Sequence, residues 1–179
     1  MPLTCLQAFE QRLNTINERI DGQPRQEVML SRLQFMIHKQ LRELVNGNLQ
    51  PHGVNDTQWT ALTMLYSSPE RYISPSDLSH IVDASRTSIT RVADEMVAKG
   101  WISRAGCEAD RRKIVLTLTD TGAALVESVI PLQWKLYLAL WRDFSPAEKK
   151  QMEKLQRKLI ASLDGLDLAT FATADFSQS

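Results

Sequence analysis

A mainly α-helical fold carrying one small β-hairpin is predicted by three features of the stretch between Ser74 and Leu118. The first is a helix whose apolar side chains, Ile89, Val92, Ala93, Met96 and Val97, fall on one stripe at about 100° per residue. The second lies just upstream, where Ser74-Pro75-Ser76-Asp77 has the form of a helix start: Ser as N-cap, Pro at the first helical position and an acid in the first turn. Leu78, Ile81 and Val82 give that helix an apolar face, and Asp83-Ala84-Ser85 leaves a short turn between the two helices. The third is Ile114-Val115-Leu116-Thr117-Leu118, β-branched and mostly alternating, which can pair with Trp101 to Ala105 across Gly106 to Arg112. Helix, turn, helix and hairpin in this order make a winged helix-turn-helix.

The far side of the second helix is polar. Thr87, Arg91 and Asp94 lie opposite the stripe, and Ser85 can cap the first turn. Arg86, Thr87, Ser88 and Thr90 therefore gather toward the N-terminal half, the part that enters a major groove in helix-turn-helix proteins. An amphipathic helix is ordinarily just a solvated surface helix; its place between a short helix and a hairpin bearing Asp110-Arg111-Arg112-Lys113 singles this one out. The chain is formally neutral, with 21 Lys and Arg against 21 Asp and Glu, which would argue against nucleic acid if charge were evenly spread. From Ala84 to Lys113, however, Arg86, Arg91, Lys99, Arg104, Arg111, Arg112 and Lys113 face Asp94, Glu95, Glu108 and Asp110. Screening over about 8–10 Å hides acids elsewhere from a phosphate on this surface. The implied partner is duplex DNA.

The rest of the chain reads as helices flanking this unit. Leu6, Phe9, Leu13, Ile16 and Ile20 form a stripe that Asp21-Gly22-Gln23-Pro24 ends. A longer helix from Glu27 to Asn46 follows, with Leu30, Leu33, Ile37, Leu41 and Leu44 on one face, and Gly47 to Gly53 is expected to break it. Asn55-Asp56-Thr57-Gln58 is a capping box opening a short helix through Trp59, Leu62, Met64 and Leu65. After the hairpin, Thr119 can cap a helix from Asp120 to Phe144, interrupted at Pro131, with Leu125, Val129, Leu132, Leu136 and Leu140 on one face and Trp134, Tyr137, Leu138 and Trp141 on another. Ser145-Pro146-Ala147-Glu148 is a complete capping box before the stripe Met152, Leu155, Leu159, Leu163. The expected organisation is N-terminal helices in 1–50, a DNA-binding domain in 54–118, C-terminal helices in 119–166 and a tail in 167–179. An isolated winged helix has no use for the terminal helices, so they point to a partner.

The run Ser85-Arg86-Thr87, the junction Lys99-Gly100-Trp101-Ile102, the wing motif Asp110-Arg111-Arg112, and Leu118-Thr119 with Gly122 carry a resemblance to the MarR family of bacterial transcription regulators. Within the family the chain is most similar to the EmrR-type repressors of multidrug efflux operons, over residues 25–165. The resemblance implies a homodimer interlocked through its terminal helices, with two recognition helices facing major grooves about 34 Å apart on a pseudo-palindromic operator. It casts Arg112 as a minor-groove probe, drawn by the concentrated negative potential there, with Asp110 orienting the arginines. Arg91 is left to read either a base edge or a phosphate. The resemblance also implies a cavity between dimer helices and winged domain for lipophilic or aromatic effectors, with Met36, Trp59, Met64 and Trp101 as lining and Arg32 to meet an anionic one. Core packing is the ordinary role of each of those apolar residues taken singly.

Other function classes find little support. Cys5 and Cys107 make neither metal-ligand spacing nor a disulfide scaffold, and His38, His52 and His80 are scattered, so no metal and no cofactor is expected. A thiol switch is the alternative at Cys107, on the wing; Cys5 lies nearer the end where oxidant-sensing relatives carry the reactive thiol, but has no basic neighbour to lower its pKa. No Gly-rich phosphate loop, catalytic triad order or paired carboxylates suggest an enzyme. A winged helix used as a protein-interaction module is the remaining competitor, and it would not need a basic wing. No apolar run is expected to reach the ~20 residues of a membrane span, and no secretion signal is read, so a cytoplasmic protein without membrane contact is expected.

Overall fold

The computed structural model describes residues 3–69, 71–81, 86–106 and 114–167, with backbone alone at 3–5, 80–81, 86–88, 106 and 114. In chain order the elements are α1 (Leu3–Asn17), α2 (Arg25–Leu49), a 3-10 turn (Gln50–His52), α3 (Asp56–Ser67), β1 (Tyr72–Ile73), α4 (Pro75–Ile81) and α5 (Arg86–Ala98). They continue with β2 (Ile102–Gly106), β3 (Ile114–Leu118), α6 (Asp120–Leu140) and α7 (Pro146–Asp164). The chain divides into two compact units, 38–137 and 1–37 with 138–179; α2 and α6 each run from one unit into the other. The winged helix-turn-helix lies within 38–137.

In that unit Leu49, Leu62, Leu65, Leu78, Met96, Leu116, Val126 and Val129 are fully buried in one cluster. Four of the five stripe residues of α5 join it, Ile89, Val92, Ala93 and Met96. Val97, expected with them, is 36% exposed. It is the last residue of the stripe and sits about 100° around the helix from Met96, at the margin of the buried arc. Leu49 also corrects the expected end of α2. The helix carries on through Gly47 because Leu49 must reach the core, and the break comes at Gly53, whose positive φ of 69° lets its N–H close on the Gln50 carbonyl.

The expected capping box of α3 is present: Asn55 Oδ1 accepts from the Gln58 backbone at 2.9 Å and Gln58 Oε1 accepts from the Asn55 backbone at 3.2 Å. The hairpin pairs Ile102 with Leu118 through to Gly106 with Ile114. A strand not read in the sequence, β1, adds to its other edge in the order β1-β3-β2, with Tyr72 opposite Thr117 and Ile73 opposite Leu116. Two residues are too few to show a period.

Trp101, Thr119 and Gly122 join the hairpin to α6. Thr119 Oγ1 accepts from Gly122 N at 3.1 Å and lies 2.6 Å from the Gly100 carbonyl and 2.9 Å from that of Trp101, to either of which its hydroxyl can donate. A Cβ on Gly122 would overlap the Trp101 carbonyl oxygen and come within 2.8 Å of Leu118 Cδ1. α6 then runs unbroken through Pro131 and ends at Leu140, earlier than the sequence suggests, in a turn where Trp141 and Phe144 meet edge to face at 5.1 Å. α6 corrects one expectation: by length and composition it is a helix long and apolar enough to cross a membrane. The reason is its double apolar face, Ala123, Val126 and Val129 in the core and Trp134 and Leu138 exposed.

In the other unit Leu13 of α1 is buried, Arg25 bonds Asn14, and the guanidinium groups of Arg12 and Arg32 stand 5.9 and 5.3 Å from the Phe9 ring. α7 opens with the expected box: Ser145 Oγ accepts from the Glu148 backbone, and Glu148 Oε2 accepts from the Ser145 hydroxyl and amide. Those two bonds, the hydroxyl first, hold the Glu148 carboxyl below its ordinary pKa. None of the residues of α7 is buried; Leu155, Leu159 and Leu163 of its stripe stand exposed.

The contact at Gly122 gives a stability test. Gly122→Ala should lose about 1–3 kcal/mol by overpacking, against the gain of roughly 1 kcal/mol that Ala ordinarily brings to a helix interior. Urea denaturation of the full chain reads the sign, and a stabilised variant would mean that α6 can move off the Trp101 carbonyl freely.

Candidate nucleic-acid interface

The candidate surface is assembled from α4, α5 and the β2–β3 hairpin. α4 begins where Ser74 Oγ accepts from Asp77 N at 3.1 Å, and it packs on α5 and on β3. α5 packs in turn on α3 and β2. Its inner face is apolar, so its orientation about its own axis is set by burial. That leaves the side bearing Thr90, Arg91 and Asp94 outward, with the Arg91 side chain 79% exposed.

Three polar ties, two in the C-terminal half of α5 and one at Lys99 just past its end, reinforce this seating. Arg104 on β2 meets Asp94 with Nη2 2.7 Å from Oδ1. Gln58, 2% exposed at the start of α3, donates from Nε2 to Glu95 Oε2 at 3.0 Å. Lys99 donates from Nζ to the Gly53 carbonyl at 2.6 Å and stands 4.3 Å from the centroid of the Trp101 ring. The helix is thus tied down at its C-terminal end, and among the described residues Arg91 faces Glu95 Oε1, 4.0 Å from its Nε.

Of the residues singled out in the sequence, Arg86, Thr87 and Ser88 form the first turn of α5, and Thr90 and Arg91 follow on it. Ser85 and the wing residues Asp110, Arg111, Arg112 and Lys113 lie outside the described residues, as does Cys107. Two of the cations counted toward the basic surface, Lys99 and Arg104, prove to be engaged within the protein. Of the proposed ligand residues, Trp59 is 8% exposed in the core and Met64, further along the same helix, is half-buried, both in 38–137. Arg32 and Met36 belong to the other unit, where the Arg32 Nε is buried with no hydrogen-bond partner among the described residues. An open cleft of about 860 Å³ in 38–137 is lined by none of these four; Arg42, Asn46, Gln58, Glu95 and Lys99 are among its walls.

Sequence reasoning missed the tie between Gln58 and Glu95. Gln58 is visible as the third helical residue of a capping box, but that role uses only its carbonyl oxygen and its backbone N–H. The amide nitrogen of a buried Gln must find an acceptor too. That requirement was the available signal; which acceptor, 37 residues away, local spacing could not show.

Comparison with known proteins adds to this geometry. A sequence model described as "MarR family" matches residues 52–113. Transcriptional repressor MprA of Escherichia coli K12 is 38% identical over 159 residues, 89% of this chain and 90% of its own length. Among solved structures, a mutant MarR of E. coli complexed with operator DNA is 26% identical, with TM-score 0.67 over 77% of this chain and 99% of that one. AbsC of Streptomyces coelicolor, 21% identical, shares the fold, with TM-score 0.72 over 82% of this chain and 100% of its own.

The ties around α5 differ in expected worth. Gln58→Leu removes two hydrogen bonds made by a buried amide, to the Asn55 backbone and to the Glu95 carboxylate, and should cost about 1–3 kcal/mol in all. Arg104→Ala removes a largely hydrated pair and should cost about 1 kcal/mol or less. Chemical denaturation of both variants decides this ranking, and equal losses would contradict it.

Proposed function

Because this chain belongs to the MarR family of transcription regulators, we propose that it is a repressor that binds a pseudo-palindromic DNA operator as a homodimer and releases it when a small lipophilic or aromatic compound binds. The observation that carries the DNA-binding part is the seating of α5: apolar face inward, Asp94 and Glu95 tied to β2 and α3, and Arg91 outward with its side chain 79% exposed. A helix held this way can enter a major groove without losing its packing. Like its relatives, the protein is not an enzyme.

In this reading residues 54–118 read the DNA. Ser85, Arg86, Thr87, Ser88, Thr90 and Arg91 meet the major groove, and Arg112, steadied by Asp110 and flanked by Arg111 and Lys113, meets the minor groove. The helices in 1–50 and 119–166 form the dimer. Support for it comes from the exposed apolar side chains of α7 and of α6, which a single chain leaves in water. The effector class, with Arg32, Met36, Trp59 and Met64 as its contacts, and control of a drug-efflux operon rest on the family resemblance. A cytoplasmic place follows from the proposed work on DNA.

The wing and the recognition helix should separate in one experiment, using a duplex enriched from a random pool by the wild-type protein and a scrambled duplex of the same composition. Arg112→Ala should weaken binding to both and flatten the dependence of log affinity on log salt by about one unit. Arg91→Ala should cost about 1–3 kcal/mol on the enriched duplex alone if it reads a base, and equally on both if it meets a phosphate. No salt dependence at all would turn the reading toward a protein-interaction module.

Effector release obeys linkage. A compound that lowers DNA affinity tenfold must prefer the DNA-free form by about 1.4 kcal/mol, and DNA must weaken its binding by the same factor. Salicylate-like acids, uncouplers and hydrophobic drugs titrated into the free protein and into the DNA complex test this. Compounds that bind equally to both forms, or none that bind, would leave a constitutive DNA-binding protein.

A further inference from the structure

Glu95 is placed unlike an ordinary surface carboxylate. It lies one turn after Arg91 on α5, and in a free helix an Arg followed four residues later by Glu is the weaker order of such a pair. Here the carboxylate is not free to wander. Its Oε2 accepts from Nε2 of Gln58, and the Gln58 side chain is itself fixed, buried to 2% exposure with Oε1 taken by the Asn55 backbone. The capping box of α3 therefore holds one oxygen of Glu95, and the other oxygen is left facing the Arg91 guanidinium at 4.0 Å. That distance is an electrostatic tether and not a hydrogen bond, so the donors of Arg91 remain available to another acceptor.

We propose that Glu95, pinned by Gln58, is a positioning residue that sets the reach of Arg91 and thereby the discrimination between DNA sequences. The proposal rests on the reading that α5 meets DNA. Two physical effects follow from the placement. The tether narrows the rotamers of Arg91 before binding, which lowers the ordering cost of one correctly placed contact. The fixed negative charge beside Arg91 also disfavours a phosphate arriving in its place, a repulsive element of the kind that separates right partners from wrong ones. Asp94, the other carboxylate nearby on α5, does not supply the same restraint, because it is engaged by Arg104 at 2.7 Å.

The test is a double-mutant cycle on the full-length protein, with the enriched and scrambled duplexes as probes. Glu95→Gln keeps a hydrogen-bonding partner for Gln58 but loses the charge; it should raise affinity for the scrambled duplex and lower the enriched-to-scrambled ratio by up to about fivefold, the size of an exposed ion pair. In an Arg91→Ala background the same change should leave the ratio unmoved, although general affinity still rises with the lost charge. Gln58→Leu, which frees Glu95 without altering charge, should lower the ratio with an unchanged salt slope, measured below its melting temperature so that folding is not the cause. A ratio that Glu95→Gln leaves untouched, or lowers equally with and without Arg91, overturns the proposal while DNA binding stands. If Arg91→Ala itself changes binding to neither duplex, the assignment of Arg91 to the DNA surface falls first, and the proposal with it.

Discussion

The point on which the winged unit depends is the close approach between the first turn of α6 and the backbone of Gly100 and Trp101. Four element ends meet there: the end of α5, the start of β2, the end of β3 and the start of α6. One hydroxyl, that of Thr119, serves them, accepting from Gly122 N and lying within hydrogen-bond distance of both the Gly100 and Trp101 carbonyls. Glycine is required at two positions for different reasons. Gly100 turns the chain with a φ of 71°, and Gly122 leaves the space that a methyl group would take from the Trp101 carbonyl. Because β2 and β3 leave this junction already in register, the base of the wing is fixed relative to α5 by short-range backbone geometry.

Charged groups play a different part. The pairs around α5 are exposed, with every side chain of Asp94, Arg104, Arg91 and Glu95 at 40% or more, and such pairs contribute little to stability. The apolar cluster from Leu49 to Val129 supplies the holding force. What the polar ties decide is orientation: each of the three links α5 to a different neighbour, β2, α3 and the loop at Gly53. Stability and aim are thus carried by different residues, which leaves the outward face of α5 free to vary with little loss of fold.

Features that a short window contains were legible in the sequence. The capping boxes at Asn55 and Ser145, the α5 stripe and the β2–β3 pairing all follow from spacing within a few residues, and the structure has each of them. What stayed hidden depends on distant parts of the chain. β1 exists because Arg71 and Tyr72 come to lie beside β3, with the Leu118 N–H reaching the Arg71 carbonyl at 3.0 Å. α2 outlasts Gly47 because the core has a place for Leu49, and tertiary burial outweighs the poor helix propensity of one glycine. At the candidate site, the residue types on α5 were readable, whereas the partners that hold Asp94, Glu95 and Lys99 were not, since they come from β2, α3 and the turn at Gly53.

The two units differ in what they need in order to be stable. Residues 38–137 enclose their own cluster of fully buried side chains. α7, by contrast, is 19 residues long, well capped at Ser145, and buries none of them. A capping box contributes about 1 kcal/mol, whereas a helix of this length is marginal in water without a packed face. The leucines that give α7 its stripe therefore make it dependent on a cover. In the proposed dimer a second copy supplies that cover, and the stability of the helical unit then rises with protein concentration while that of the winged unit does not. Such a division suits a regulator of the kind proposed: the DNA-reading part keeps its internal geometry, and a ligand that alters the dimer acts only on the spacing between two intact readers.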